Sequence, residues 1–274
     1  SNHWLRAWLG LKMNPLSILP LIMKSHHPRA TEATTKYFLA QAAAATMILF
    51  ATTTNAWKTG QGAMTHTAPI ASSFITFAVM KKLGLAPTHL WYPKLLQGTT
   101  LHTALLISTW KKIAPLALLY MAHPHLNPHL LLQQGLLSTL IGGWAGFNQT
   151  QTRKFMAFSF IAHMGWAIIA LNLSPNLTTL TMITYIIMTT TLFTSLATTT
   201  TKTISDMGTA WPISPAMLTT TMLTLMSLGG LPPLTGFMPK LLILKDLTTT
   251  NLIALGMMTL AMSLPSLFFY IRLA

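Results

Sequence analysis

The sequence predicts an all-α protein, a polytopic transmembrane helix bundle with two broken helices. Three observations carry this reading. Of 274 residues, 51% are hydrophobic and only 7% are charged, whereas a soluble globular chain carries roughly 25%. Apolar runs at 37–56, 69–80, 99–110, 129–147, 155–172, 177–197 and 252–271 approach, alone or with their neighbours, the ~20 residues that cross a bilayer as a helix. Two Gly/Pro-rich stretches then interrupt apolar segments in matching fashion. The short alternating segments of a transmembrane β-barrel are not seen in the sequence.

Spans are expected at 3–23, 37–56, 69–92, 99–121, 129–147, 153–172, 177–199, 212–247 (interrupted) and 250–271, forming one transmembrane domain over 1–274. The connections are short, as in a tight bundle. If successive spans alternate, one side of the membrane receives Lys24, Arg29, Lys36, Lys94, Arg153, Lys154, Lys202 and Arg272. The other receives Lys58 and Lys245, with Asp246 beside the latter. This is the asymmetry that sets membrane orientation. The loop 24–36, KSHHPRATEATTK, is the clearest inside loop, and its Thr31-Glu32 marks a possible start of a capped helix. The opening SNHWLRAWLG lacks both an initiator Met and the basic-then-apolar order of a signal peptide. A fragment is expected.

The formal net charge is +14, and Glu32, Asp206 and Asp246 are the only acids. A basic soluble protein suggests nucleic acid, but no basic stripe with interleaved aromatics occurs here, and topology accounts for the charge. The chain has no cysteine, so disulfides and thiolate sites are excluded. His26, His27, His123, His125 and His129 fall in loops without a carboxylate or thiolate, which argues against a metal site. His163, within SFIAHMGWA, reads as a packed polar residue. Asn148 and Asn176 open weak glycosylation patterns. No Gly-rich phosphate loop, nucleophile–base pair or carboxylate dyad is present, so no cofactor chemistry is expected within the chain.

What remains is basic residues inside spans: Arg6 near a span end, and Lys12, Lys81, Lys82, Lys111, Lys112 and Lys240 near span centres. A mid-membrane lysine costs ~2.5–3.5 kcal/mol on insertion scales. It is tolerated against a bundle interior, water or a partner. Unlike an arginine, a buried lysine exchanges its proton readily. Lysines on four spans therefore point to a proton or ion path. Adjacent helical residues diverge by ~100°, so one lysine of each doublet, 81–82 and 111–112, is expected to face the path.

Residues 84–94 read GLAPTHLWYPK and residues 230–240 read GLPPLTGFMPK. Both fit G-L-x-P-x5-P-K, through Gly84, Pro87, Pro93, Lys94 and Gly230, Pro233, Pro239, Lys240. Proline removes a helical hydrogen bond and glycine loosens the backbone. Interrupted segments in corresponding places of two halves suggest a repeat-built transporter with broken helices. Gly84, Pro87, Gly230 and Pro233 are the expected hinges. His89 follows the first break and is a candidate proton relay.

The stretches HWLRAWLGLKMNPLSILPL, HPRATEATTKYFLAQA, KLGLAPTHLWYPKLLQGT, TWKKIAP, GFNQTQTRKFMAFSFIAHMGW and LSLGGLPPLTGFMPK together resemble the vertebrate-type chain 2 family of mitochondrial NADH-ubiquinone oxidoreductase. Its members are antiporter-like membrane subunits of respiratory complex I. The resemblance covers essentially the whole chain. It implies two inverted repeats with one broken helix each, further sequence before Ser1 and after Ala274, and a multi-pass place in the mitochondrial inner membrane. It also implies proton translocation driven by electron transfer from NADH to ubiquinone, with NADH, FMN, iron-sulfur clusters and ubiquinone handled elsewhere in the complex. Partners would be other membrane-arm subunits and lipids, with no nucleic acid and no homo-oligomer. The family's central lysines fall on Lys82, Lys112 and Lys240. Two departures stand out. Lys12 occupies the place of a glutamate in LGLEMN, and YPK at 92–94 replaces a Pro-Glu pair. Lys81 and Lys111 add charge at positions that are usually uncharged. Two buried ammoniums repel, so Lys82 requires another counter-ion or a neutral Lys12. The competing readings are a stand-alone cation/proton antiporter and a structural membrane subunit that conducts nothing.

Overall fold

The computed structural model describes residues 3–24, 26–64, 67–199, 201, 203–209 and 214–273. Ser1, Lys202, Ala274 and the expected start of a span at 212 lie outside the described residues. Among the described residues fourteen α-helices follow one another: α1 (Trp4–Leu16), α2 (Leu19–Met23), α3 (Pro28–Thr59), α4 (Pro69–Leu83), α5 (Trp91–Gly98), α6 (Leu101–Ser108), α7 (Trp110–Ala122), α8 (Pro128–Phe147), α9 (Thr152–Leu173), α10 (Pro175–Thr199), α11 (Ile204–Thr209), α12 (Pro215–Gly229), α13 (Phe237–Thr249) and α14 (Ile253–Leu273). Among the described residues there is no strand, only the isolated bridges His3–Ala63 and Gln151–Thr203. Five stretches among the described residues are each long and apolar enough to cross a membrane: Pro28–Thr59, Leu101–His125, Thr152–Leu173, Pro175–Thr199 and Ile253–Arg272.

Of the four other expected crossings, 129–147 forms one unbroken helix, α8, and those at 3–23, 69–92 and 212–247 are divided into shorter helices. The span at 3–23 is split between α1 and α2, which the sequence reading did not anticipate. Pro15 lies in the last turn of α1 and Pro20 opens α2, and each removes a backbone donor. The span at 99–121 is likewise interrupted, at Thr109 (φ −108°, ψ −75°). The helix expected from residue 37 starts nine residues earlier, at Pro28. Proline is well placed in a first helical turn, and the His27 side chain caps the helix by accepting from the Arg29 N–H. A short helix, α11, occupies part of the connection at 200–211.

The alternation of sides holds where it is visible. Arg29, Lys36, Lys94, Gln151, Arg153 and Thr203 surround one open cleft, so the loops at 24–36, 93–98, 148–154 and 200–211 meet at one end of the bundle. At the other end the Trp4 N–H donates to the Gly62 carbonyl, and the Thr67 hydroxyl to the His125 carbonyl. In between, α9 runs through the middle, buried along nearly its whole length against α8, α10 and α5. An all-round apolar helix of this kind belongs in a core, and its Phe155, Phe160, Met164 and Ile168 are part of the main apolar cluster.

Both breaks are built alike. Helix α4 ends at Gly84 (φ +78°, ψ +35°) and α12 at Gly230 (φ +81°, ψ +40°). In this left-handed conformation an L side chain is disfavoured. Leu85 N–H returns to the Met80 carbonyl and Leu231 N–H to the Met226 carbonyl, each spanning the same number of residues. Ala86–Pro87 and Pro232–Pro233 are both cis. The chain re-enters helix at corresponding motif positions, Trp91 and Phe237.

Candidate proton-relay site

A helix end leaves its last carbonyls without intrahelical donors. At mid-membrane depth no bulk water satisfies them, so a protein or cavity group must. The breaks in α4 and α12 create such carbonyls, and lysines take them. Lys112 reaches from α7 to donate to the Leu83 carbonyl at 2.5 Å. Lys240, from α13, donates to the Gly229 carbonyl at 2.9 Å and the Leu228 carbonyl at 3.3 Å. Leu83 and Gly229 each immediately precede the left-handed glycine. A cation at a helix C-terminus also meets the favourable end of the helix dipole.

Lys82 is buried and donates to the Leu11 carbonyl of α1 at 2.7 Å. Its own carbonyl accepts from the Gln41 amide at 3.3 Å. Lys112 is equally buried, and its Nζ lies 4.3 Å from the Tyr92 ring centroid, 4.5 Å from Phe160 and 5.2 Å from Trp91. Aromatic faces stabilise an ammonium where water is scarce. Lys82, Lys111 and Lys112 line one cavity of about 10 Å³, together with Tyr37, Gln41 and Asn14. That is the space of about one water. A second cavity, of about 30 Å³, lies at the other break, lined by Lys240, His163, Tyr185, Thr181 and Thr184.

The expected residues thus divide into two groups and two outliers. Lys82 and Lys112 share the first cavity, and Lys240 lines the second. Lys12 does not face Lys82: it is exposed, with its Nζ 4.9 Å above the Trp8 ring. Two facing ammoniums are avoided because neighbouring positions on α1 diverge. Leu11 presents its carbonyl to Lys82 while Lys12 leaves from the outer side. His89 is buried beside Phe158, with ring centroids 6.5 Å apart, and lines neither of these two cavities. In the doublets Lys82 and Lys112 are buried, and Lys81 and Lys111 only partly so. Lys111 nevertheless reaches the first cavity, holding the Asn14 carbonyl at 2.6 Å and the Ser17 hydroxyl where α1 gives way to α2. His163 was read as packing alone. Its Nε2 lies 3.3 Å from the Tyr270 hydroxyl, and it shares the second cavity with Lys240. Its place near the middle of an apolar span was the one signal available from sequence.

The buried amines are therefore held by carbonyls and aromatic faces rather than by carboxylates. All three acids of the chain lie near helix ends or in connections: Glu32 in the second turn of α3, Asp206 in α11 and Asp246 in the last turn of α13.

A family model described as NADH:quinone oxidoreductase/Mrp antiporter, TM, matches residues 1–265. Among curated proteins, NADH-ubiquinone oxidoreductase chain 2 of Struthio camelus is 54% identical over 275 residues, covering 100% of this chain and 80% of the relative. The protein of the same name from Gallus gallus is 52% identical, with 100% and 80% covered. Among solved structures, a chain of respiratory complex I from Thermus thermophilus with bound aureothin superposes with a TM-score of 0.90 at 25% identity, covering 100% of this chain and 65% of that one. A chain of the Mrp complex from Dietzia sp. DQ12-45-1b, at 16% identity and a TM-score of 0.86, shares the fold over 99% of this chain and 56% of its own. The chain therefore spans less than two thirds of these two solved chains but about four fifths of its curated relatives. On these matches, and on a bundle whose broken helices are sealed by lysines, the chain belongs to the antiporter-like membrane subunits of NADH:quinone oxidoreductase, within the family of NADH-ubiquinone oxidoreductase chain 2.

Proposed function

We propose that this chain translocates protons as a membrane-arm subunit of respiratory complex I in the mitochondrial inner membrane, with Lys82, Lys112 and Lys240 as the proton-carrying groups. Other membrane-arm subunits and lipids surround it, and it forms no homo-oligomer and binds no nucleic acid. NADH, FMN, iron-sulfur clusters and ubiquinone belong to other subunits, so this chain adds movement of protons to redox chemistry performed elsewhere. The relatives' names support the assembly. The reading of two inverted repeats draws support from the matched backbone geometry of the two breaks.

The observation that carries the residue assignment is the position of the amines. Each lies against a backbone carbonyl at the edge of a cavity, inside a bundle whose spans offer them no carboxylate. A carbonyl accepts a hydrogen bond from an ammonium and from a neutral amine alike. It therefore holds the side chain through both protonation states. Lys82 and Lys112 border the same water-sized cavity, which accommodates one ammonium more readily than two because like charges repel at short range. A proton arriving at one is thus favoured to leave the other. Lys240, with His163 and Tyr185 beside it, continues the path at the second break. Lys12 lies outside this path, because it is exposed and contacts Trp8. His89 is buried in the first break and relays between lysines only through water.

The test is Lys112→Met in the assembled complex. Removing a positioned proton carrier typically costs about 10²- to 10⁴-fold in the transfer it serves. The proton-to-electron ratio, read from NADH-driven acidification of sealed vesicles, should fall while NADH oxidation by artificial acceptors continues. An unchanged ratio would remove Lys112 from the path and favour a structural role. The stand-alone antiporter reading gains nothing from the Mrp likeness, which is one of fold.

A further inference from the structure

The four basic connections at one end of the bundle enclose a cleft of about 670 Å³, far larger than either lysine cavity and predominantly polar in its lining. Arg29 and Lys36 enter it from the first turns of α3, Lys94 from α5 and Arg153 from the start of α9. Among the described residues Glu32 is the one carboxylate in its lining, and Glu32 is engaged in an ion pair with Lys36 one turn along the same helix. Among the described lining residues, then, three cations remain beyond the Lys36–Glu32 pair.

The cleft is built rather than merely open. The Arg153 guanidinium donates to the Thr99 carbonyl at 2.7 Å and to the Gln97 carbonyl at 3.4 Å through one nitrogen, Nη1. Its other donors make no hydrogen bond among the described residues. The Gln97 amide is joined to Gln151, and Gln151 pairs with Thr203 across an isolated bridge. Gly98 lets α5 seat on the first two turns of α3: a Cβ there would meet the Ala33 Cβ at 2.5 Å and the Arg29 carbonyl at 2.6 Å. This close seating brings Arg29 and Lys94 to the same opening. Two long helices, α3 and α9, also begin at this cleft, and the dipole of a helix start favours an anion. The balance of charge at this opening favours an anion.

We infer that this cleft binds a phosphate-ester anion, with Arg29, Lys94 and Arg153 as its cations and the Lys36–Glu32 pair at its rim. The charge, two guanidinium side chains in one lining and a volume suited to a headgroup fit that class. So does a position at the membrane rim on the basic side, where basic pockets between helices take anionic headgroups. A phospholipid headgroup and a soluble phosphate ester share this chemistry.

The experiment uses the intact complex in phosphatidylcholine nanodiscs doped with phosphatidylglycerol, with retained phosphatidylglycerol counted by mass spectrometry after exchange. Each basic residue near an anionic headgroup contributes about fivefold in affinity, so the charge reversal Lys94→Glu should weaken retention about thirtyfold. Lys94→Gln, which only removes the charge, should weaken it about fivefold and serves if the reversal fails to assemble. Lys24→Gln, basic and on the same side but outside the cleft, should change nothing. Competition separates the two sources. If millimolar glycerol phosphate displaces the lipid, the site takes soluble esters as well. If it does not, the site is specific to a membrane-anchored headgroup. Equal retention and equal glycerol phosphate affinity in the parent, Lys94→Gln and Arg29→Gln would overturn the proposal.

Discussion

The two broken helices start from the same backbone and end with different lysines. At α4–α5 and α12–α13 the left-handed glycine, the returning N–H and the point of re-entry into helix all correspond. The sequence motif also pairs Lys94 with Lys240. Yet Lys94 points into the basic cleft, whereas Lys240 turns back to the carbonyls of its own broken helix. At the first break that task falls to Lys112, delivered by a separate helix and enclosed by Tyr92, Phe160 and Trp91. No lysine–aromatic contact of this kind is found for Lys240 among the described residues. Instead its cavity is larger and holds His163 and Tyr185. What a break requires, then, is an amine at the carbonyl before the glycine, and not an amine from a fixed place in the sequence. The first break couples two helices through its lysine, while the second closes on itself.

The strongest way to break this comparison is to separate sealing a carbonyl from carrying a proton. Arginine keeps the hydrogen bond but does not release its proton. Lys240→Arg has room in its cavity of about 30 Å³, so the complex should assemble. Its proton-to-electron ratio should drop as far as in Lys240→Met, reflecting a loss of about a hundredfold or more in that transfer step. A ratio restored by arginine would mean that Lys240 seals the break and nothing more.

Next come the glycines. Alanine in a left-handed conformation costs about 1–2 kcal/mol, so Gly84→Ala and Gly230→Ala should destabilise the chain by similar amounts. Their neighbours differ. A Cβ at Gly230 meets the Lys240 Nζ at 2.9 Å, and one at Gly84 meets the Trp91 ring at 3.1 Å. Gly230→Ala should therefore also reduce pumping, by displacing the amine itself, whereas Gly84→Ala acts on the wall of the cage around Lys112. Thermal unfolding of the two complexes should shift equally, with the larger pumping loss in Gly230→Ala. Equal pumping losses would show that displacement of Lys240 is not what matters.

How much of this was legible beforehand follows from the kind of signal each feature leaves. Apolar length and the paired Gly/Pro motifs lie along the chain, so the spans and both breaks could be read, with hinges at Gly84 and Gly230 where the backbone does turn. The splits at Ser17–Ile18 and Thr109 were missed because one leans on prolines within an ordinary apolar run and the other has no Gly/Pro signature. Lys82, Lys112 and Lys240 stood out as costly charges in apolar surroundings. What holds them is backbone carbonyl, which every residue possesses and no sequence marks. Lys12 was expected to confront Lys82 because their family pattern pairs them; the orientation of α1 turns it outward, and orientation is a tertiary property. The basic cleft gathers residues from four connections, and only the fold places them together.

The finest test concerns the cage that distinguishes the first break. Tyr92 is buried with its ring 4.3 Å from the Lys112 Nζ, and its hydroxyl has no hydrogen-bond partner among the described residues. The ring and the hydroxyl therefore act in opposite directions: the face attracts the ammonium, while a buried hydroxyl without a partner is a cost. Tyr92→Phe keeps the face and removes the cost, so stability and pumping should hold or improve slightly. Tyr92→Leu removes the face, and the loss of one desolvated cation–π contact should cost about 1–2 kcal/mol. The ammonium alone depends on that face, so Tyr92→Leu should also lower the fraction of Lys112 that holds its proton at a given pH. A pumping profile displaced to lower pH in Tyr92→Leu, and unmoved in Tyr92→Phe, is the expected result. The sign follows because the variant needs more protons in solution to reach the same occupancy. A matching variant at the second break has no aromatic cage to lose, so Tyr185→Phe should leave the profile in place. Displacement there as well would mean that the aromatic cage is not what distinguishes the two breaks.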